Sequence, residues 1–329
     1  MEYAPITITT LNRYEHFVRC IQSLENNGLA KETELFISVD FPPSEKYKEG
    51  YQKIISFLKE KQFKFKKTHI FYQRENKGTM ENYIFIMNEA FKKFDRAIFL
   101  EDDNEVAPCF LEFCDKGLDT FENDKDIVGF NASNYVWCGT GYEPKIKKNV
   151  EGNNVKKRQL LFHAYATWKE SWIQICQYCQ EDKIYSIGKN RKLMSKLHKK
   201  SKAFFYEFID AALTSHKSKL PWSNNKLYPI DLIWDIFMML EDKYIIYPVI
   251  SQVRDWGIDG SGANYKEKFE NMDQIVSTPI DESRNFQFQV EDEIEIDKEE
   301  IQLHDKYKFT SIRVKLIKLF KYALFLLKE

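Results

Sequence analysis

Apolar positions change period repeatedly along the first hundred residues. Residues 5–10, Pro-Ile-Thr-Ile-Thr-Thr, are rich in β-branched side chains and predict a strand. Phe17, Cys20, Ile21 and Leu24 then recur at helical spacing, and Asn26-Asn27-Gly28 ends that helix. Residues 35–40 predict a second strand, stopped by Phe41-Pro42-Pro43. Tyr51, Ile54, Ile55 and Leu58 mark an amphipathic helix over 46–62. A third strand at 68–72, a loop at Asn76-Lys77-Gly78 and a helix over 79–93 follow. Ala97-Ile98-Phe99-Leu100 is a short, wholly apolar run, of the kind that is buried on both faces of a parallel sheet.

The alternation β-α-β-α-β-α-β predicts an α/β fold, a mostly parallel sheet flanked by helices. Such sheets bind ligands at the carboxyl ends of their strands. Polar residues gather at those ends: Asn12 and Arg13 after the first strand, Asp40 closing the second, and Glu101-Asp102-Asp103 closing the fourth.

Three carboxylates after a buried apolar strand repel one another and lose hydration as they pack. A divalent cation relieves both penalties, and Mg²⁺ or Mn²⁺ takes hard oxygen ligands, typically one or two carboxylates together with substrate phosphates. The competing reading is a solvated acidic turn ahead of the helix predicted from Pro108 onward.

Composition narrows the class. The chain has 329 residues, 43% hydrophobic and 30% charged, with a net charge of −1, so it has ample core material and no global field favouring nucleic acid. The opening Met1-Glu2-Tyr3-Ala4-Pro5 has neither the basic nor the apolar stretch of a secretory signal, and no apolar run approaches bilayer length. These features predict a cytoplasmic protein. Six scattered cysteines then read as reduced thiols, and the lone Cys176-x-x-Cys179 pair lacks the second pair of a zinc site.

The motifs resemble those of the nucleotide-sugar glycosyltransferases of the GT-A fold, bacterial family-2-like members in particular. The residues that carry the resemblance are Pro5 to Arg13, Asn76-Lys77-Gly78 with Asn82, the Glu101-Asp102-Asp103 triplet, Ala166-Thr167-Trp168 with Trp172, Trp234-Asp235, and Trp256-Gly257-Ile258-Asp259-Gly260-Ser261-Gly262. His163 and Tyr165 depart from the family's block before Ala-Thr-Trp. The likeness spans residues 5 to about 265.

The resemblance implies a GT-A-like catalytic domain over 1–265, with a nucleotide-binding half to about 105 and an acceptor half from about 106. It implies that Asp103 binds Mn²⁺ or Mg²⁺, that Asp102 supports the metal or touches the ribose, and that Glu101 faces the donor sugar. Asp40 would meet the base or ribose of a UDP-sugar, while Thr10, Arg13 and Lys77 would line the nucleotide site. Asp235 would be the general base of an inverting transfer to a surface polysaccharide or lipid-linked oligosaccharide. A carboxylate beside an indole is partly desolvated, which suits that role, although Asp235 also reads as a cap for a helix over 236–242. Trp168 is either a sugar platform or core, and His163 a metal or phosphate ligand or a structural histidine. The glycines at 257, 260 and 262 predict a loop over the site, or an ordinary turn.

Two other classes compete. A nucleotidyltransferase calls for a glycine-rich loop after the first strand, where this chain has Thr9-Thr10-Leu11-Asn12-Arg13. A non-catalytic glycan-binding or membrane-docking protein of the same fold would not need the acidic triplet.

Beyond the catalytic region, residues 188–202 form a lysine-rich face, solvated or turned to an anionic acceptor. Residues 266–304 read as an extension, with an edge strand from Phe286 and a solvated acidic linker through Glu300. Residues 305–329 read as a basic amphipathic helix. From Lys306 to Glu329 there are seven basic residues and one acidic, interspersed with Ile312, Leu316, Leu319, Phe320, Ala323, Phe325, Leu326 and Leu327. That pattern predicts peripheral contact with the inner face of the cell membrane, with docking on protein as the alternative.

Overall fold

The computed structural model describes residues 2–137, 142–144, 155–161, 164–214, 230–262, 267–268, 272–286, 294–308 and 311–327. His163 and the edge strand expected from Phe286 lie largely or wholly outside the described residues. The amino-terminal third follows the predicted alternation: β1 (Ile6–Thr10), α1 (Tyr14–Glu25), β2 (Glu34–Val39), α2 (Lys48–Glu60), β3 (Lys67–Tyr72), α3 (Gly78–Phe91) and β4 (Arg96–Glu101). The four residues that fixed the helical period of α1, Phe17, Cys20, Ile21 and Leu24, are the four it buries.

These four strands are parallel in the order β3-β2-β1-β4. The chain steps outward from β1 to β3, then crosses back to place β4 on the other side of β1. Connections therefore leave β1 and β4 in opposite directions, and a crevice opens between the carboxyl ends of these two strands.

The rest of the chain continues the sheet and thickens its faces. It forms β5 (Asn104–Val106), α4 (Phe110–Thr120), β6 (Ile127–Asn131), β7 (Tyr135–Trp137), β8 (Tyr142–Pro144), β9 (Val155–Arg158) and β10 (Tyr165–Trp168). Helices α5 (Lys169–Tyr178), α6 (Glu181–Lys189), α7 (Arg191–Lys200), α8 (Lys202–Thr214) and α9 (Ile230–Glu241) follow. Then come β11 (Tyr244–Pro248), β12 (Val253–Asp255), α10 (Met272–Ser277), α11 (Glu299–Tyr307) and α12 (Ile312–Leu327). The main sheet has the order β3-β2-β1-β4-β10-β6-β11-β9, in which only β10 and β9 run against the others. It is a mostly parallel sheet flanked by helices, the GT-A-like Rossmann-type class expected. β4 is buried on both faces: Ile98 and Leu100 pack with α1 and α4, while Ala97 and Phe99 pack with α3 and the α5–α9 layer.

The carboxy-terminal region differs from the expected solvated linker. Ile296 bridges to Lys157 of β9, and Glu300 is 1% exposed beside Arg158, which is fully buried, at 2.9 Å. The same guanidinium donates to the carbonyls of Tyr135 (3.1 Å) and Ser133 (2.8 Å) and to the Asn131 side chain. A buried guanidinium must have its donors satisfied by acceptors and its charge matched. An acidic residue from beyond position 266 meets that demand, which ties α11 to the far edge of the sheet.

α12 carries apolar side chains on both sides. Its buried side holds Phe325 and Tyr322 in the core, with the Tyr322 hydroxyl donating to the Gly188 carbonyl at 2.7 Å, and Lys318, paired with Asp210. Its outer side exposes Ile312, Leu316, Phe320 and Leu327. No helix among the described residues is long and apolar enough to cross a membrane.

Truncating one partner of a buried ion pair leaves an uncompensated charge, at a cost of about 3–5 kcal/mol. Glu300→Ala should therefore lower the thermal unfolding midpoint by several degrees, read by circular dichroism. Surface Glu295→Ala, which removes a partly exposed contact with Lys156, should change it little.

Candidate active site

The β1/β4 crevice gathers most of the residues singled out from the sequence. β1 ends at Thr10, whose hydroxyl donates to Asp102 Oδ2 at 2.8 Å. Arg13, in the turn that leads into α1, lays its guanidinium across both acids, one nitrogen on Asp102 Oδ1 and the other on Asp103 Oδ2 at 2.6 Å. The Asn104 amide donates to Asp103 Oδ1 at 3.1 Å. Each of the four carboxylate oxygens thus accepts from the chain. Both acids are about 95% buried, while Glu101, the last residue of β4, is half-buried.

A second segment closes over this pair. β12 lies antiparallel to β5, which follows the triplet directly, and the Trp256 backbone N–H donates to the Asp103 carbonyl at 3.0 Å. Gly257 therefore rests on the Asp103 carboxylate. A Cβ there would stand 2.2 Å from Asp103 Oδ2 and 3.1 Å from Asp255 Oδ1, so only glycine fits. The loop continues to Asp259, which pairs with His16 of α1 at 3.1 Å, and Arg19 stacks 4.0 Å above the Trp256 ring. The glycine-bearing stretch expected to form a loop over the site borders it.

Asp255, His16 and Asp259 are site residues that the sequence reading did not assign. Asp255 is 3% exposed and adds a carboxylate beside Asp103. The Asp103 carboxyl is pushed up to about 8, by burial first; Arg13 opposes this, and the charges of Asp255, Glu101 and Asp102 add to it. Asp259 is held below its ordinary range despite some burial, by Ser261 donors and by the charges of His16 and Arg13.

These donors suit a hard divalent cation. Among the described residues, no group of three or more His, Cys, Asp or Glu side chains is arranged to hold a metal unaided. Asp102 and Asp103 are two adjacent carboxylates at the end of β4, a donor set that magnesium- and manganese-type sites complete with water and substrate phosphate.

Other expected residues take different places. Asp40 is 5% exposed, and both of its oxygens are taken by chain donors. Oδ1 accepts from the N–H groups of Phe41 (2.9 Å) and Lys77 (2.8 Å), and Oδ2 from Gly78 N–H (3.0 Å) and the Asn76 amide (3.1 Å). Gly78 has φ of +73°, which lets its N–H reach that oxygen. Asp40 thus fastens the 76–78 loop to the end of β2, so the geometry goes against the expected contact with a base or ribose. Burial outweighs these donors and raises its pKa. Lys77 sits in the same loop, half-buried at the start of α3.

Asp235 is held from outside the β1–β4 strand ends, by the backbone of Leu161. It lies mid-way along α9, so it caps no helix start, and it is 7% exposed with Oδ1 accepting the Leu161 N–H at 2.7 Å. Burial pushes its pKa well up. Trp234 is fully buried in the helical layer. One turn earlier, in the first turn of α9, Asp231 has atoms at the surface but is closely surrounded by protein. Its pKa is also raised, by desolvation first, and by the charges of Glu101 and Glu207 against backbone N–H donors.

Trp168 lies at the wrong end of the sheet for a sugar contact in this crevice. β10 is antiparallel to β4, so Tyr165 pairs with Phe99 and Trp168 with Arg96. That places Trp168 roughly 16 Å from Glu101 by strand rise. Its ring packs against Phe130.

No family model matches the sequence, and no curated protein matches it. Among solved structures, the chain is similar to S. aureus TarS, at 12% identity over 39% of this chain and 21% of that one, with a TM-score of 0.29. It is similar to residues 1–349 of TarS in complex with UDP, at 10% identity over 46% and 38% of the two chains, with a TM-score of 0.30. It is also similar to the mannosyltransferase PcManGT from Pyrobaculum calidifontis in complex with GDP-Man and Mn²⁺, at 9% identity over 51% and 46%, with a TM-score of 0.33. The chain spans less than half the length of each. Likeness at this level transfers no residue role.

Proposed function

We propose that the protein is a nucleotide-sugar glycosyltransferase that uses a UDP-sugar and transfers with inversion to a surface polysaccharide or lipid-linked oligosaccharide. The observation that carries this reading is the convergence of Thr10, Arg13, Asp102, Asp103, Asp255 and Gly257 on the β1/β4 crevice. A diphosphate suits such a place, where a strand-end opening meets paired carboxylates.

Asp102 and Asp103 would hold Mn²⁺ or Mg²⁺, which supplies charge neutralisation for a departing diphosphate. Asp40 organises the 76–78 loop, so that Lys77 and Thr10 frame the nucleotide side. Glu101, half-buried at the strand end, faces the donor sugar.

We assign the general base to Asp231 in place of Asp235. A base must reach the acceptor hydroxyl directly or through one water. Asp231 keeps atoms at the surface at the start of α9 and senses the charge of Glu101, whereas Asp235 already accepts from Leu161. Its raised pKa brings Asp231 closer to working range as a base. In the transfer, the acceptor oxygen bonds to the anomeric carbon as the bond to the diphosphate breaks. The hydroxyl proton goes to Asp231, and the nucleoside diphosphate leaves.

The outward apolar side of α12, flanked by Arg313, Lys315 and Lys321, supports peripheral contact with an anionic membrane. A transferase acting on lipid-linked acceptors needs such a contact.

With a panel of labelled UDP-sugars, Asp231→Asn should lower turnover at least about 100-fold, as loss of a general base does, while UDP affinity is retained. Asp235→Asn should instead lower thermal stability and leave the turnover of the folded fraction within a few-fold. The reverse pattern would return the role to Asp235. For the membrane contact, paired Leu316→Asp and Phe320→Asp substitutions should abolish co-sedimentation with phosphatidylglycerol vesicles. Unchanged sedimentation would refute it. Point substitutions are preferable to truncation, because the inner side of α12 packs on the protein.

A further inference from the structure

Arg13 occupies the place and the partners that a divalent cation needs. Its two terminal nitrogens are divided between Asp102 and Asp103, one to each, rather than forked onto a single carboxylate. The remaining oxygens are fixed by Thr10 and Asn104, so the two acids stay aligned on the guanidinium. The surroundings strengthen the arrangement. Gly257 and Trp256 cover Asp103 from one side, Asp255 adds negative charge, and Arg13 itself is only about 20% exposed in its side chain.

We propose that Arg13 is a built-in counter-cation that competes with the divalent metal for Asp102 and Asp103, and that metal binding requires the guanidinium to withdraw. Arginine does not give up its proton in this range, so it cannot make way by neutralising. Two cations cannot share these carboxylates without strong repulsion across the few ångströms between them. Arg13 thus offsets part of the charge of the acidic pair before the metal arrives and yields its place afterwards. The loop at 256–262 sits on the same acids and on His16 of α1, so withdrawal of Arg13 also changes what Asp259 faces.

The inference rests on the reading of Asp102 and Asp103 as the metal pair, and it is tested without nucleotide or turnover. Mn²⁺ alone is titrated into the full chain by calorimetry, with free Mn²⁺ followed by electron paramagnetic resonance. Arg13→Met should bind Mn²⁺ at least about tenfold more tightly than the wild-type protein, and adding Asp103→Asn should cancel the gain. Arg13→Lys keeps a positive charge but not the two-armed reach, so it should give a smaller gain in the same direction. It serves where Arg13→Met does not fold. Equal or weaker Mn²⁺ binding by the folded Arg13 variants, or no binding by any of them, overturns the proposal. Those results leave nucleotide binding to be judged separately, by a titration that does not involve these variants.

Discussion

Two carboxylates are forced together where β4 runs out of sheet, and the structure around the crevice is arranged to bear that charge. The strand is apolar on both faces, so Asp102 and Asp103 emerge from the core with little water to solvate them. Arg13 answers from the neighbouring strand end, Thr10 and Asn104 fix the outer oxygens, and a glycine lets the 256–262 segment lie directly on Asp103. The order of the strands makes this possible. Because β2 and β3 lie on one side of β1 and β4 on the other, the ends of β1 and β4 are left open to each other.

The second half of the molecule repeats the same physics with a different outcome. Arg158 is buried at the far edge of the sheet, and its charge is met by Glu300 and by backbone carbonyls, with no opening to solvent. That cluster fastens the carboxy-terminal region, and through it the α11–α12 layer. In the crevice, two adjacent carboxylates share one guanidinium, and burial raises the Asp103 carboxyl.

Much of the amino-terminal third was legible because its signals are local. Periods of two and of about 3.6, with Asn-Gly and Pro-Pro stops, place seven elements within a residue or two, and the polar residues at the strand ends follow from topology. That Thr10, Arg13, Asp102 and Asp103 gather at one strand end was readable for the same reason. What escaped depends on long-range contacts. Asp255 reaches Asp103 through the β5–β12 pairing, across about 150 residues of sequence. Asp40 looked free at a strand end, but the 76–78 loop folds back onto it. Trp168 sits in a strand that runs antiparallel, which reverses the end it faces. Asp235 and Asp231 share one helix face a single turn apart, and only packing tells which of them meets solvent. Glu300 lies in an acidic stretch that reads as solvated until its buried partner on β9 is known.

The most direct test of the account is a calorimetric titration of the protein with UDP in the presence of Mn²⁺, repeated with EDTA and with GDP. The account predicts UDP binding that disappears with EDTA and is tighter than GDP binding. Failure to bind either nucleotide with metal present would contradict it, and would leave the β1/β4 crevice as a charged strand end without a donor.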